Sequence, residues 1–173
     1  MSDAAPASPC IVRSRAKSTD DAMHISHPLN DRSSIFMTRL SDPTGLTHIG
    51  VSLARIPPGR ESFSMHVHTI QEEWIFVLEG QGHVRLNDED HPIGPGDFVG
   101  FPPGGPAHVV RNTSDADLVF LQGGDRRTGD RGHFPELGMV GYQDDEGHMA
   151  FIDAEHVKRL PFTAWMVAAQ KQS

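Results

Sequence analysis

The chain has 173 residues, a length for one compact domain with a terminal extension, and its 37% hydrophobic content fills a single core. Fifteen Lys and Arg stand against 23 Asp and Glu, a net charge of −8 with no basic stripe, so a nucleic-acid partner has no electrostatic footprint and an anionic membrane surface is disfavoured. No stretch reaches the roughly 18 apolar residues of a membrane-spanning helix. No secretory signal opens the chain and its single cysteine, Cys10, cannot form an internal disulfide, so the expectation is a cytoplasmic protein.

Residues 1–34 begin with a small, polar, aperiodic stretch and are expected to form a mobile N-terminal arm. From Ile35 onward, short runs of β-branched and aromatic residues alternate with turn clusters rich in the 17 Gly and 13 Pro. Strands are expected at 35–40, 47–56, 63–68, 74–78, 83–86, 98–101, 107–111 and 118–122. Turn signals such as Asp42-Pro43-Thr44-Gly45, Asn87-Asp88 and Pro102-Pro103-Gly104-Gly105 separate them. Eight short strands joined this way predict an all-β sandwich or small barrel over residues 35–124. The charged stretch 125–132 is expected to be an exposed connection. It opens a C-terminal extension, 125–173, with weak strands at 139–142 and 149–152 and a short helix over 153–160 capped by Asp153, packed on the barrel.

The chemistry concentrates in two stretches. His66 and His68 are two apart, which on a strand points both imidazoles to one face. Glu73 opens the next strand after a short turn and returns a carboxylate beside them, whereas its neighbour Glu72 has the opposite parity. His108 follows a Pro/Gly loop near the start of a later strand. Three imidazoles and one carboxylate suit one divalent transition metal: Fe, Mn, Ni, Cu or Zn. Such a set leaves one or two coordination positions for water or substrate.

The spacing G-x(6)-H-x-H-x(4)-E-x(6)-G, from Gly59 to Gly80, and G-x(5)-P-x-G-x(3)-H-x(3)-N, from Gly96 to Asn112, resembles the paired signature motifs of the cupin superfamily. Each motif carries one extra residue, before His66 and before His108, and both extras fall in loops. The resemblance covers roughly residues 47–122 and implies a double-stranded β-helix, the jelly-roll cupin barrel, of a small single-domain bacterial type. It places the metal ligands on His66, His68, Glu73 and His108. It also implies pairing into a homodimer through an outer sheet.

By strand parity Ser64, Ile75, Val77 and Val110 share the ligands' face and are expected in the pocket, giving it an apolar character. Trp74, Phe76, Leu78 and Phe120 read as core. Arg60 and Arg111 read as solvated, and Asp97 as a turn residue. His24, His27, His48, His83, His91, His133, His148 and His156 lie outside the motifs and read as ordinary surface or core residues. No cluster of Lys or Arg falls on pocket-facing positions, which weighs against a phosphorylated sugar. The reading is a metal-dependent enzyme for a small-molecule substrate, with dioxygenase-type oxidation favoured. The alternatives are a metal-dependent isomerase or lyase, and a small-ligand-binding or sensor barrel without catalysis.

Overall fold

The computed structural model describes residues 10–12 and 22–163; expectations on 1–9, 13–21 and 164–173 lie outside the described residues. The strands are β1 (Met23–Ile25), β2 (Ile35–Arg39), β3 (Ile49–Ile56), β4 (Val67–His68), β5 (Glu73–Glu79), β6 (Gly82–Leu86) and β7 (Glu89–Ile93). They continue with β8 (Phe98–Phe101), β9 (His108–Arg111), β10 (Leu118–Asp125), β11 (Gly132–Phe134), β12 (Met139–Gln143) and β13 (Met149–Asp153).

One layer is a six-stranded antiparallel sheet in the order β1-β2-β3-β10-β5-β8. The other consists of β7-β6-β9 and β13-β12-β11-β4, joined where residues 62–66 run antiparallel to β9. There Ser62 N donates to Val110 O at 2.9 Å, and His66 and His108 exchange backbone bonds at 3.1 and 2.8 Å. Strands β3 to β6, and again β8 to β11, alternate between the two layers. That winding is the double-stranded β-helix of a jelly roll. Alternate residues of each strand close the interior: Ile35, Ile56, Val77, Val84, Leu118 and Phe120 are all but fully buried.

Residues 22–34 were expected in the arm, yet they belong to the folded unit. β1 adds to the edge of β2 in register Met23↔Met37 to Ile25↔Ile35. Farther on, Ser34 N donates to Glu61 O at 2.9 Å and Glu61 N to Arg32 O at 3.0 Å. β1 is only three residues, Met-His-Ile, too short for a two-residue alternation to announce it. β7, with sequence Glu-Asp-His-Pro-Ile, is an exposed edge strand that tolerates Pro92, and its polarity hides it from a pattern search. It joins β6 through the two-residue turn Asn87-Asp88, with Asn87 at φ 52°. β12 and β13 occupy the two expected C-terminal strands. In place of a helix over 153–160 there is one 3-10 turn, Ala154–His156, from which the Asp153 side chain accepts no capping hydrogen bond. The Asp153 carboxylate instead meets His156 Nδ1 at 3.3 Å.

Two further expectations are corrected. Of the four supposed core residues only Phe120 is buried. Trp74, Phe76 and Leu78 point outward from β5, because its inward parity is set by Glu73, Ile75 and Val77. Arg111 is not solvated: its Nε sits 2.9 Å from Oε1 of the buried Glu61. A buried carboxylate requires such a partner, since it carries its charge away from water.

Candidate metal centre

The segment ending in β4 and the start of β5 bring His66, His68 and Glu73 together at one end of the barrel, and β9 adds His108 from the same layer as β4. The ligand atoms of His66, His68 and Glu73 all lie within 4.8 Å of one another. A single oxygen, Glu73 Oε2, stands 3.6 Å from His66 Nε2, 3.2 Å from His68 Nε2 and 3.4 Å from His108 Nε2. Glu72 is exposed and is not part of this group.

Each imidazole is held from behind. His66 Nδ1 lies 2.8 Å from the Ser64 carbonyl oxygen, so it is the protonated nitrogen and donates there. His68 Nδ1 faces Asp130 Oδ2 at 2.5 Å. The His108 ring stacks on Phe101, with centroids 3.8 Å apart and planes within 10°, while its buried Nδ1 has no hydrogen-bond partner. Phe134 stacks on His66 at 5.6 Å. With Nδ1 of His66 and His68 engaged, their Nε2 atoms turn toward the Glu73 carboxylate. Three imidazole nitrogens and a carboxylate oxygen thus converge on one point, a donor set of the kind that transition metals take. These residues therefore fit a divalent metal.

Without a metal, the imidazoles and Glu73 partner one another. Burial alone would push Glu73 up, but hydrogen bonds from His108, His66 and His68 hold it well below the ordinary carboxylate range. Burial works against charge on His68, yet the Glu73 and Asp130 carboxylates outweigh it and raise that imidazole to about 9. His108 is pushed down, chiefly by burial, with Glu73 opposing.

Above this cluster opens a cavity of about 450 Å³. Glu73 and the buried Ser52, His66, Ile75, Phe101, His108 and Val110 line its inner part, and the more exposed Arg39, Asp42, Gln122, Asp125 and Arg126 its outer wall. Of the four residues expected there, Ile75 and Val110 line it. Val77 lies in the core, and Ser64 is buried against His27 Nδ1 at 3.1 Å. Arg39 Nη1 reaches Asp42 Oδ2 at 3.2 Å, and Arg126 pairs with the other oxygen of Asp42. Gly50 makes room for this: a Cβ there would stand 3.3 Å from Arg126 Nε. The pocket is thus more polar than expected and does carry two arginines. They were illegible because Arg39 ends β2 and Arg126 follows β10, strands far apart in sequence that flank β3 in the sheet.

Asp130 was also missed, within the stretch read as an exposed connection. Asp97 is a turn residue as expected, accepting from Gly94 N at 2.7 Å. His83, His91 and His148 are surface residues far from the cluster in their pairings. His27 is half-buried between Phe134 and Phe151, and burial, then the nearby His66, lowers its imidazole.

The comparisons with known proteins agree with this architecture. The family model of the cupin domain matches residues 52–122. An oxalate-binding protein of Thermotoga maritima is 39% identical over 67 residues, which are 39% of this chain; the chain spans about half, 54%, of that relative's length. Protein SchB of Streptomyces halstedii is 34% identical over 110 residues, covering 61% of this chain and 78% of the relative. Among solved structures, a protein of Acidithiobacillus ferrooxidans described as a candidate sugar phosphate isomerase superposes with a TM-score of 0.82 at 32% identity, covering 88% of this chain and 97% of that one. With the jelly-roll winding, both signature motifs and these matches in hand, the chain belongs to the cupin family.

Proposed function

We propose that the protein is a metal-dependent enzyme that isomerises a small, polar organic anion, with His66, His68, Glu73 and His108 as the metal ligands. One observation carries the reading: a single cavity joins the histidine–glutamate cluster to Arg39 and Arg126 at its outer wall. When bound, the metal supplies Lewis acidity that polarises a substrate carbonyl or hydroxyl. The arginines offer forked donors matched to a phosphate or carboxylate, which orients the substrate with its reacting end inward. Phe101, Ile75 and Val110 form a dry inner wall around the reacting end. The likeness to the Acidithiobacillus protein supports a phosphorylated sugar as the first compound to assay.

Oxidation of the dioxygenase type is the second reading. It is favoured by the apolar inner wall, which Phe63 and Phe120 extend, and by a ligand set that leaves coordination positions open. The metal-loaded protein is to be incubated with aldose and ketose phosphates and with small aromatic compounds, with O2 uptake followed in parallel. Sugar interconversion without O2 uptake, with KM raised about 10–100-fold in Arg126→Ala by loss of a charged hydrogen bond, is expected. Stoichiometric O2 consumption would give the site to oxidation instead, and no turnover of any compound would favour a binding barrel.

The same proposal places the protein in the cytoplasm and pairs it as a homodimer. The outer face of the six-stranded sheet presents Trp74 and Phe98 stacked at 6.0 Å, with Phe98 64% exposed beside Phe76 and Leu78. An apolar patch of this kind marks an interaction surface. Light scattering after size exclusion is expected to give the mass of two 19.0-kDa chains, and Phe98→Glu the mass of one. A monomer mass for the unaltered protein refutes the pairing. Among the described residues no helix is long and apolar enough to cross a membrane.

A further inference from the structure

Asp130 lies beyond the part of the chain that the cupin family model matches, in the connection between β10 and β11. Its side chain is only 11% exposed, and each oxygen has a distinct task. Oδ1 accepts from the backbone N–H groups of Thr69, Ile70 and Gln71 at 3.0, 2.8 and 3.3 Å, and from the Thr69 hydroxyl at 3.2 Å. Oδ2 is left for His68 Nδ1 at 2.5 Å. The backbone on either side is stitched to the same turn: Thr69 N donates to Arg131 O at 3.0 Å, and Arg131 N to the Thr69 hydroxyl at 3.1 Å. The carboxylate therefore cannot rotate away from the ring without breaking the turn that leads to Glu73.

We infer that Asp130 is a positioning residue that keeps the proton of His68 on Nδ1 and aims Nε2 at the metal, so that a segment outside the cupin motifs sets the competence of the centre. An imidazole presents a lone pair to a metal only from the nitrogen that lacks the proton, and the partner of the other nitrogen decides which that is. His66 obtains this from a backbone carbonyl, which its own strand supplies whatever the side chains are. His68 obtains it from a carboxylate 62 residues away, and that carboxylate also raises ligand basicity. His108 has no such partner at Nδ1. Among the three imidazoles, His68 is thus the one whose orientation a single side-chain substitution can reverse.

The inference rests on the metal-binding reading of the preceding section, and its test separates the two. Asp130→Asn preserves an oxygen for the three N–H donors of residues 69–71, so the amide NH2 takes the place of Oδ2 and meets the Nδ1 proton donor to donor. The ring answers by moving its proton to Nε2, where it blocks the metal. Metal titration by calorimetry is expected to show affinity for Zn²⁺ reduced about 10–100-fold in Asp130→Asn, with circular dichroism and melting near those of the unaltered protein. Affinity within twofold would reduce Asp130 to a brace for the turn and overturn the inference. In the metal-free proteins, proton NMR with ring nitrogen labelling reads the same contact directly. A downfield, slowly exchanging Nδ1 proton on His68 is expected in the unaltered chain and absent in Asp130→Asn. If the unaltered chain binds no metal, the metal reading falls. The Nδ1 proton then decides the positioning claim alone, and its absence from the unaltered chain overturns it.

Discussion

Replacing Glu73 by alanine is expected to leave the barrel folded and to strip the protein of its metal. The three Nε2 atoms gather around the Glu73 carboxylate, at 3.2 to 3.6 Å from one oxygen. Removing it deletes both a ligand and the one negative charge among the four donors. Outer-shell partners of metal ligands cost about 10–100-fold in affinity when removed, and loss of a direct ligand exceeds that. The fold does not depend on this side chain, which stands at the cavity floor rather than in the core of Val77, Leu118 and Phe120. Elemental analysis of protein purified without chelators or a polyhistidine tag measures the result. Near-stoichiometric metal in the unaltered chain and in Glu72→Ala, and none in Glu73→Ala, is the expected pattern. Equal metal in all three would place the centre elsewhere.

A second large effect is expected at Gly80, the residue that ends the first signature motif. Its φ is +83°, a conformation that costs a side-chain-bearing residue about 1–3 kcal/mol. The space is closed as well: an added Cβ would lie 2.2 Å from Asp117 O and 3.0 Å from Leu118 Cα, both backbone atoms at the start of β10. Overpacking of that kind costs about 1–3 kcal/mol more. Gly80→Ala is thus expected to lose about 2–6 kcal/mol, a large share of the roughly 5–15 kcal/mol that holds a domain folded. At about 2–4 °C per kcal/mol for a chain of this size, thermal denaturation should shift downward by roughly 4–24 °C. Gly59, at the other end of the motif, is the control. Its φ is +70° with nothing within 4 Å of an added Cβ, so Gly59→Ala should show the conformational cost alone. Equal losses at both positions would mean that close approach to β10 plays no part.

These two glycines illustrate how a motif is read. Their spacing to His66, His68 and Glu73 is visible along the chain, but their reasons differ, and only the neighbouring strand distinguishes them. The four candidate ligands were legible for a similar reason. His66, His68 and Glu73 are related by strand parity and a short turn, which are local, whereas His108 is marked by the second signature motif. His66 and His68 share a face because they are two apart, and Glu73 follows within one turn.

Composition misled on β5 where parity did not. Trp74, Phe76 and Leu78 have the composition of core, yet their parity opposes Glu73, so they face out and Ile75 and Val77 face in. β1 and β7 are edge strands: the first has only three residues, and the second is polar and exposed and lacks the alternation that a half-buried strand displays.

The pair of signature motifs, the alternation of strands and turns, and the parity of His66, His68 and Glu73 were enough to specify a cupin barrel and its four candidate ligands. Each motif, and the parity within it, is written in one continuous stretch of chain. The arginines of the cavity, Asp130 behind His68 and the apolar outer face were settled only by the winding of the chain between two sheets. That winding brings β2, β3 and β10 side by side and sets residue 130 against residue 68, and no local periodicity encodes contacts across 62 positions.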